Sequence, residues 1–342
     1  MRRTFDHATV SRFQTVLGSQ ATGLQTFDQA TYDSLGAFVR SELEAMDPTM
    51  HEPLIAFTWS RDIDLRTDVS LGHEFTSFVT NTYGLTGGTQ SQGKSWAAKN
   101  QTETPNVALD LNRQRAVLGP WAHEVSYTVF ELASAALLQR PLDSDKVNGL
   151  KMKWQQDADE QTYVGDTQLG GGVPGLVNNP AVATANVANG ASGTPGWATK
   201  TPAEVLRDLN DMATASWTAA GWTSVPNRIG LPPNKFAYIA NQANGSIGNM
   251  SILSYFLENN IGRNQGMDVQ IVPIKWLVGR GAGGTDRMIA YTKSYDTVRL
   301  PIVPCFPLDT QRQGLYMRTP YVGSLGQVEF VRPERFAYRD GI

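Results

Sequence analysis

The most restrictive feature of this chain is a polar run between Tyr83 and Pro105, rich in Gly, Thr, Gln and Ser. Residues 74–82 read as a strand before it, and Val107 to Leu118 as an extended segment after it. Structureless loops of this length are uncommon inside compact domains. Two strands joined by so long a polar excursion predict a hairpin that protrudes from the body. Its tip is too polar to build a core, yet it holds Trp96 with Lys94 and Lys99 on either side. A large aromatic flanked by lysines is the pattern of an anchor in a neighbour's groove, with the charges on a wet rim. The simpler reading is a tryptophan folded back on its own strands.

The rest of the chain mixes helices and strands. Residues 1–55 read as an arm with one amphipathic helix, about 27–46, whose Leu35, Phe38, Val39, Leu43 and Met46 share a face. Asp47-Pro48 stops it. Nothing nearby in sequence can cover that face, so it must dock on the rest of the chain or on another copy. Residues 54–60 read as a strand, and helices are expected at 124–139 and 144–164, the second with Val147, Leu150, Trp154 and Ala158 at helical spacing. Asp157, Asp159 and Glu160 crowd its C-terminal end, where the helix dipole disfavours them and calls for a positive neighbour. Residues 165–200 read as loop. A helix then opens at Thr201-Pro202-Ala203-Glu204, a capping box with proline at the first helical position, and Gly221 ends it. Beyond it come a strand at 235–240, a helix at 249–261 and strands at 268–278, 286–292, 297–307, 314–319 and 327–340. Without regular strand–helix–strand alternation the fold class is α+β.

Composition narrows the function. Charged residues make up 18% of the 342, below the roughly 25% of ordinary soluble domains. A surface poor in charge is easier to desolvate against a partner, because interface centres are depleted of charge. The net charge of −3 argues against tight gripping of nucleic acid. One cysteine, Cys305, excludes an intrachain disulfide and fits a reducing compartment. Met1-Arg2-Arg3 is followed by no apolar run, so no signal peptide is expected, and no stretch has the length to span a bilayer.

Catalytic and cofactor motifs are weak throughout. Gly88-Thr89-Gln90-Ser91-Gln92-Gly93-Lys94-Ser95 matches the phosphate-loop pattern literally. That site needs a strand before the loop and a helix after it. Here Pro105 interrupts the downstream segment, and Gly84 and Gly87 weaken the upstream strand, so a polar loop is the better reading. A nucleotide-binding protein using Gly88–Ser95 is the alternative to be tested. Gly279 to Gly284 contains G-x-G-x-x-G, but a strand-like Arg287–Tyr291 follows, so it reads as a hairpin turn. His7, His51, His73 and His123 are scattered, and Asp143-Ser144-Asp145 fails as a calcium loop because Val147 falls on a ligand position. The acidic cluster reads as a solvated or salt-bridged face. Cys305 reads as a buried structural thiol. No active site, cofactor site or metal site is expected.

Three stretches carry a resemblance. FELASAALLQRPLD (Phe130–Asp143) resembles the short helix before a long spine helix in the major capsid proteins of tailed bacteriophages, a fold shared with encapsulins. ADEQTYVGD (Ala158–Asp166) and GLVNN (Gly175–Asn179) are similar to the end of that spine and its following loop. QVEFVRP (Gln327–Pro333) through YRDGI (Tyr338–Ile342) is similar to the closing strands. The resemblance covers about residues 50–342. It implies an N-terminal arm (1–55), an extended loop (76–115), a peripheral domain with the spine helix (56–75, 116–225 and 311–342) and an axial domain (226–310). It further implies a structural subunit, not an enzyme, without cofactors. Its copies would form hexamers and pentamers of an icosahedral virion capsid, assembled in the host cytoplasm around double-stranded DNA. Scaffolding, decoration and portal proteins would be further partners, with no membrane involved. A cellular nanocompartment shell is the second alternative. Some relatives crosslink subunits through a loop lysine and an asparagine. Lys94 and Lys99 lie in the right loop, but no matching asparagine or catalytic acid aligns.

Overall fold

A computed structural model describes residues 55–85, 107–138, 142–244 and 250–342. The expected arm helix at 27–46, the Gly88–Ser95 motif and Lys94, Trp96 and Lys99 lie outside the described residues. The architecture below is that of the unit from Ala56 to Ile342.

The chain opens with α1 (Trp59–Asp62), β1 (Asp64–Arg66), β2 (Phe75–Leu85), β3 (Val107–Thr128), α2 (Val129–Leu138) and α3 (Leu142–Tyr163). Short strands β4 (Gly165–Asp166), β5 (Val173–Pro174) and β6 (Ala183–Asn186) lead to α4 (Pro202–Ala219). Next come β7 (Arg228–Leu231), α5 (Pro233–Asn241), β8 (Ala243–Asn244), β9 (Met250–Ser251), α6 (Ile252–Asn259) and α7 (Ile261–Asn264). The closing strands are β10 (Gln270–Pro273), β11 (Arg287–Tyr291), β12 (Val298–Pro307), β13 (Gln311–Gln313), β14 (Tyr316–Gly326), β15 (Glu329–Phe330) and β16 (Phe336–Asp340).

Two sheets organise these elements into an α+β fold. One has the order β1-β12-β14-β3-β2, with β13 on β14 and β15 on β12; the other has the order β10-β7-β11-β16-β6. The second sheet is buried on both faces. Ile289, Tyr291, Phe336 and Tyr338 join a core with Trp59, Ile63 and the α3 residues Trp154, Ala158 and Tyr163. Met288, Ala290 and Ala337 face the other way, onto Val205, Leu209 and Met212 of α4 and Phe256 of α6. A strand covered on both faces reads as an unbroken apolar run, which Met288-Ile289-Ala290-Tyr291 is. The α4 helix starts at the expected capping box, with Glu204 accepting the Thr201 N–H at 2.8 Å. It ends at Gly221, whose φ of +60° suits a residue without Cβ.

Several expectations are corrected. The segment 235–240, expected as a strand, lies in helix α5, with Pro233 opening the helix and Ile239 buried in the second core. A five-residue apolar run cannot be told from a helix by periodicity alone. Residues 124–128 belong to β3 rather than a helix, because β14 pairs them as far as Thr128↔Tyr316. Of the expected strand at 54–60, residues 55–58 are irregular and the chain then enters α1. The expected helix at 249–261 breaks at Asn260, whose side chain caps α7 by accepting the Arg263 N–H at 2.9 Å. The strand expected over 268–278 stops at Pro273, and the one over 327–340 is split by a 3-10 turn at Pro333–Arg335. The loop expected over 165–200 contains β4, β5 and β6. Gly279–Gly284 is no hairpin turn: β10 and β11 are not paired to each other, since β7 lies between them.

Candidate functional site

The first eleven residues of β3 pair with β2 alone, from Phe75↔Val117 to Leu85↔Val107. From Leu118 onward β3 pairs with β14. The outer half is therefore a two-stranded ribbon. At about 3.4 Å per residue it extends roughly 35 Å from its root. Directly opposed residues share a face, so Phe75, Val79 and Tyr83 lie on the same side as Val107, Leu109 and Leu111. All six are exposed, from 54% at Phe75 and Leu109 to 68% at Tyr83. Arg113 and Arg115 continue that face toward the root. Covering side chains that are already half exposed is worth about 1 kcal/mol each. A lone ribbon has no second layer with which to gain it. The period-2 spacing of these residues was legible in sequence, whereas the pairing that joins the two rows into one face is tertiary.

A second apolar surface lies where β3 hands over to α2. Phe130 is 68% and Leu137 86% exposed, and Leu315, Tyr316 and Met317 are exposed on the neighbouring β13–β14 turn. The Val129 N–H donates to Leu315 O at 3.0 Å and ties the two together. Monomers rarely expose contiguous apolar patches beyond a few hundred Å².

The buried carboxylates, by contrast, are engaged in holding the body together. Asp159 is fully buried near the end of α3. It accepts hydrogen bonds from the backbone N–H groups of Thr58 (3.0 Å) and Trp59 (3.2 Å) and from Trp276 Nε1 (2.7 Å). Lys275 Nζ stands 2.9 Å away and is the positive neighbour expected for this helix end. Asp157 pairs with Lys153 at 2.6 Å and accepts Trp121 Nε1 at 2.9 Å. Asp159 is thus salt-bridged but not solvated. Glu160 alone of the three is exposed. Tyr163 Oη donates to Asp62 Oδ2 at 2.5 Å, and burial together with the Asp62 carboxylate pushes that phenol well above its ordinary range. The enclosed phenol serves as a fixed donor to Asp62. No cluster of three potential metal-ligating side chains is present among the described residues. Cys305 is half-buried, not buried, and burial raises its thiol pKa. No helix among the described residues is long and apolar enough to cross a membrane.

Comparison with known proteins agrees with a surface built for association. The chain resembles the capsid of Myoviridae phage XM1 with a TM-score of 0.72 at 16% identity, over 88% of this chain and 98% of that one. It resembles a chain from Microbacterium phage Oxtober96 at 0.56 and 14% identity, over 92% and 99%. It resembles the capsid of an empty GTA particle at 0.55 and 11% identity, over 92% and 99%. At such identities these likenesses show the fold. No curated protein matches the chain. The family described as "Major capsid protein" matches residues 93–342, well over half of the sequence. By that match the chain belongs to the major capsid protein family and is a shell-forming capsid subunit.

Proposed function

We propose that copies of this chain join into hexameric and pentameric rings that close an icosahedral shell around the double-stranded DNA of a tailed phage, with assembly in the host cytoplasm. The observation that carries this reading is the ribbon: six exposed apolar side chains on one face of a projection that no second layer covers among the described residues. In a head-to-tail ring each ribbon straps the next copy and each copy receives a ribbon, so every such face is covered once. A shell that closes in two dimensions needs a further contact between rings, and the α2 and β13–β14 surface suits it. The peripheral part (56–75, 116–225 and 311–342) and the axial part (226–310) meet in this reading along the β11–β16 pairing and along β12, which pairs with β1, β14 and β15. Net charge −3 suits an inner wall that encloses DNA without gripping it. Scaffolding, decoration and portal proteins complete the set of partners, and the subunit itself performs no catalysis.

Trp96 is the anchor of the strap, with Lys94 and Lys99 on its rim. Its burial on assembly contributes on the order of 2 kcal/mol per copy. Trp96→Ala is expected to leave the subunit folded by circular dichroism while lowering the yield of shells in negative stain and sedimentation. Normal assembly combined with an earlier-melting subunit would place the tryptophan within its own chain and overturn the strap.

A further inference from the structure

We infer that Glu329 is the positioning residue of the ribbon, a buried carboxylate that sets the angle at which the strap leaves the body. The inference rests on the ribbon acting as the strap between copies. Glu329 stands on β15 opposite Arg299 of β12, and its side chain is fully buried. Its two oxygens are held by groups from three other strands. Arg66 of β1 donates Nη1 to Oε1 at 2.9 Å, Arg299 donates Nε to Oε2 at 2.6 Å, and Thr76 of β2 donates Oγ1 to Oε1 at 2.6 Å.

Three consecutive ribbon residues are gripped through this one carboxylate. Thr76 binds it directly. Ser77 O accepts Arg66 Nη1 at 3.3 Å. The Phe78 ring lies 5.9 Å from the Arg299 guanidinium, which also lies over the Tyr295 ring at 4.7 Å. Asp68 completes the set by holding Arg66 Nε at 2.8 Å. Farther out, Val79 and Tyr83 are exposed and the strand's partner is β3. The grip falls at the place where a pivot would lie. β3 leaves β14 at Leu118 and takes up β2 at Val117, so backbone continuity fixes one strand of the root. Glu329 fixes the other. Rotation of the ribbon would take the Thr76 hydroxyl from the buried carboxylate and the Ser77 carbonyl from Arg66, leaving polar groups of a buried network short of partners, which costs more than sliding an apolar contact.

The experiment reads the angle directly, apart from assembly. Full-length chain in a Cys305→Ser background carries spin labels at Thr82→Cys on the ribbon and Glu258→Cys on α6, spin-diluted and kept below its assembly concentration. The wild-type network is expected to give one narrow distance population. Thr76→Val, which removes only the hydroxyl, and Glu329→Gln are expected to broaden it, while Thr76→Ser restores the narrow population. Closed-shell yield should fall in Thr76→Val with the folded fraction unchanged. Narrow distances in both Thr76→Val and Glu329→Gln would overturn the inference. If Glu329→Gln does not fold, the contrast between Thr76→Val and Thr76→Ser decides alone. Broadened distances with normal shells would uphold the pivot and overturn the strap.

Discussion

Lys200 and Asp208 form an ion pair at 2.5 Å with side chains 0% and 1% exposed, and Trp197 Nε1 donates to the same carboxylate at 3.0 Å. Removing one partner of such a pair leaves a buried charge uncompensated, which costs about 3–5 kcal/mol. Asp208 keeps the partly exposed Arg207 at 3.3 Å, so Lys200→Met is expected to lower unfolding free energy by less than that, by about 1–3 kcal/mol, in denaturant titration. The neighbouring Glu204 contributes to the acid response. Hydrogen bonds from the Thr201 and Ala191 N–H groups hold its carboxyl below the ordinary glutamate value of 4.5. A carboxyl lowered on folding stabilises the fold above its unfolded pKa, and that stabilisation is lost as pH falls through the folded value. Glu204→Gln should flatten the decline of melting temperature below about pH 4.5, a shift readable by thermal scans across the acid range.

The α3 helix carries two glycine effects of opposite sign. Gly149 sits mid-helix with nothing within 4 Å of where a Cβ would stand. Glycine there is worse than alanine by roughly 0.5–1 kcal/mol. Gly149→Ala is expected to stabilise the subunit by that much in calorimetry. A simultaneous loss of shells would reveal that a neighbour lies against this turn. Gly175 is the reverse case, since an added Cβ would lie 2.4 Å from the Tyr163 carbonyl carbon and oxygen at the helix end. The loop approaches α3 so closely that Gly175→Ala must push it off, with a loss of at least about 1–3 kcal/mol. Such close approach explains why the GLVNN segment needs its glycine.

For the whole molecule, two apolar surfaces on one subunit predict two separable assembly defects. Leu137→Asp on α2 is expected to leave the subunit folded and rings intact while reducing closed shells, as measured by sedimentation and negative stain. If rings are lost together with shells, the two surfaces act in one contact and the separation fails. The low charge of the chain, 18%, suits a surface that is desolvated against neighbours, since interface centres are depleted of charge.

Some of this was settled by local chemistry alone. The capping box at Thr201–Glu204, the periodic face of α3 and the extended segments Phe75–Leu85 and Val107–Leu118 follow from nearest-neighbour rules, so they were legible without a fold. The positive neighbour of Asp159 was expected from the helix dipole, but that it would be Lys275, together with two N–H groups of α1, was not. They lie one hundred residues or more from Asp159 in sequence. The same holds for α5, read as a strand because a short apolar run has no resolvable period, and for the Gly279 turn, whose strands are parted by β7. Local sequence determines which segments are helical, extended or polar, because those preferences arise within a few residues. Only the tertiary structure decides which strands become neighbours, and so which apolar rows merge into a face and which buried carboxylate, Glu329, lies beneath the root of the ribbon.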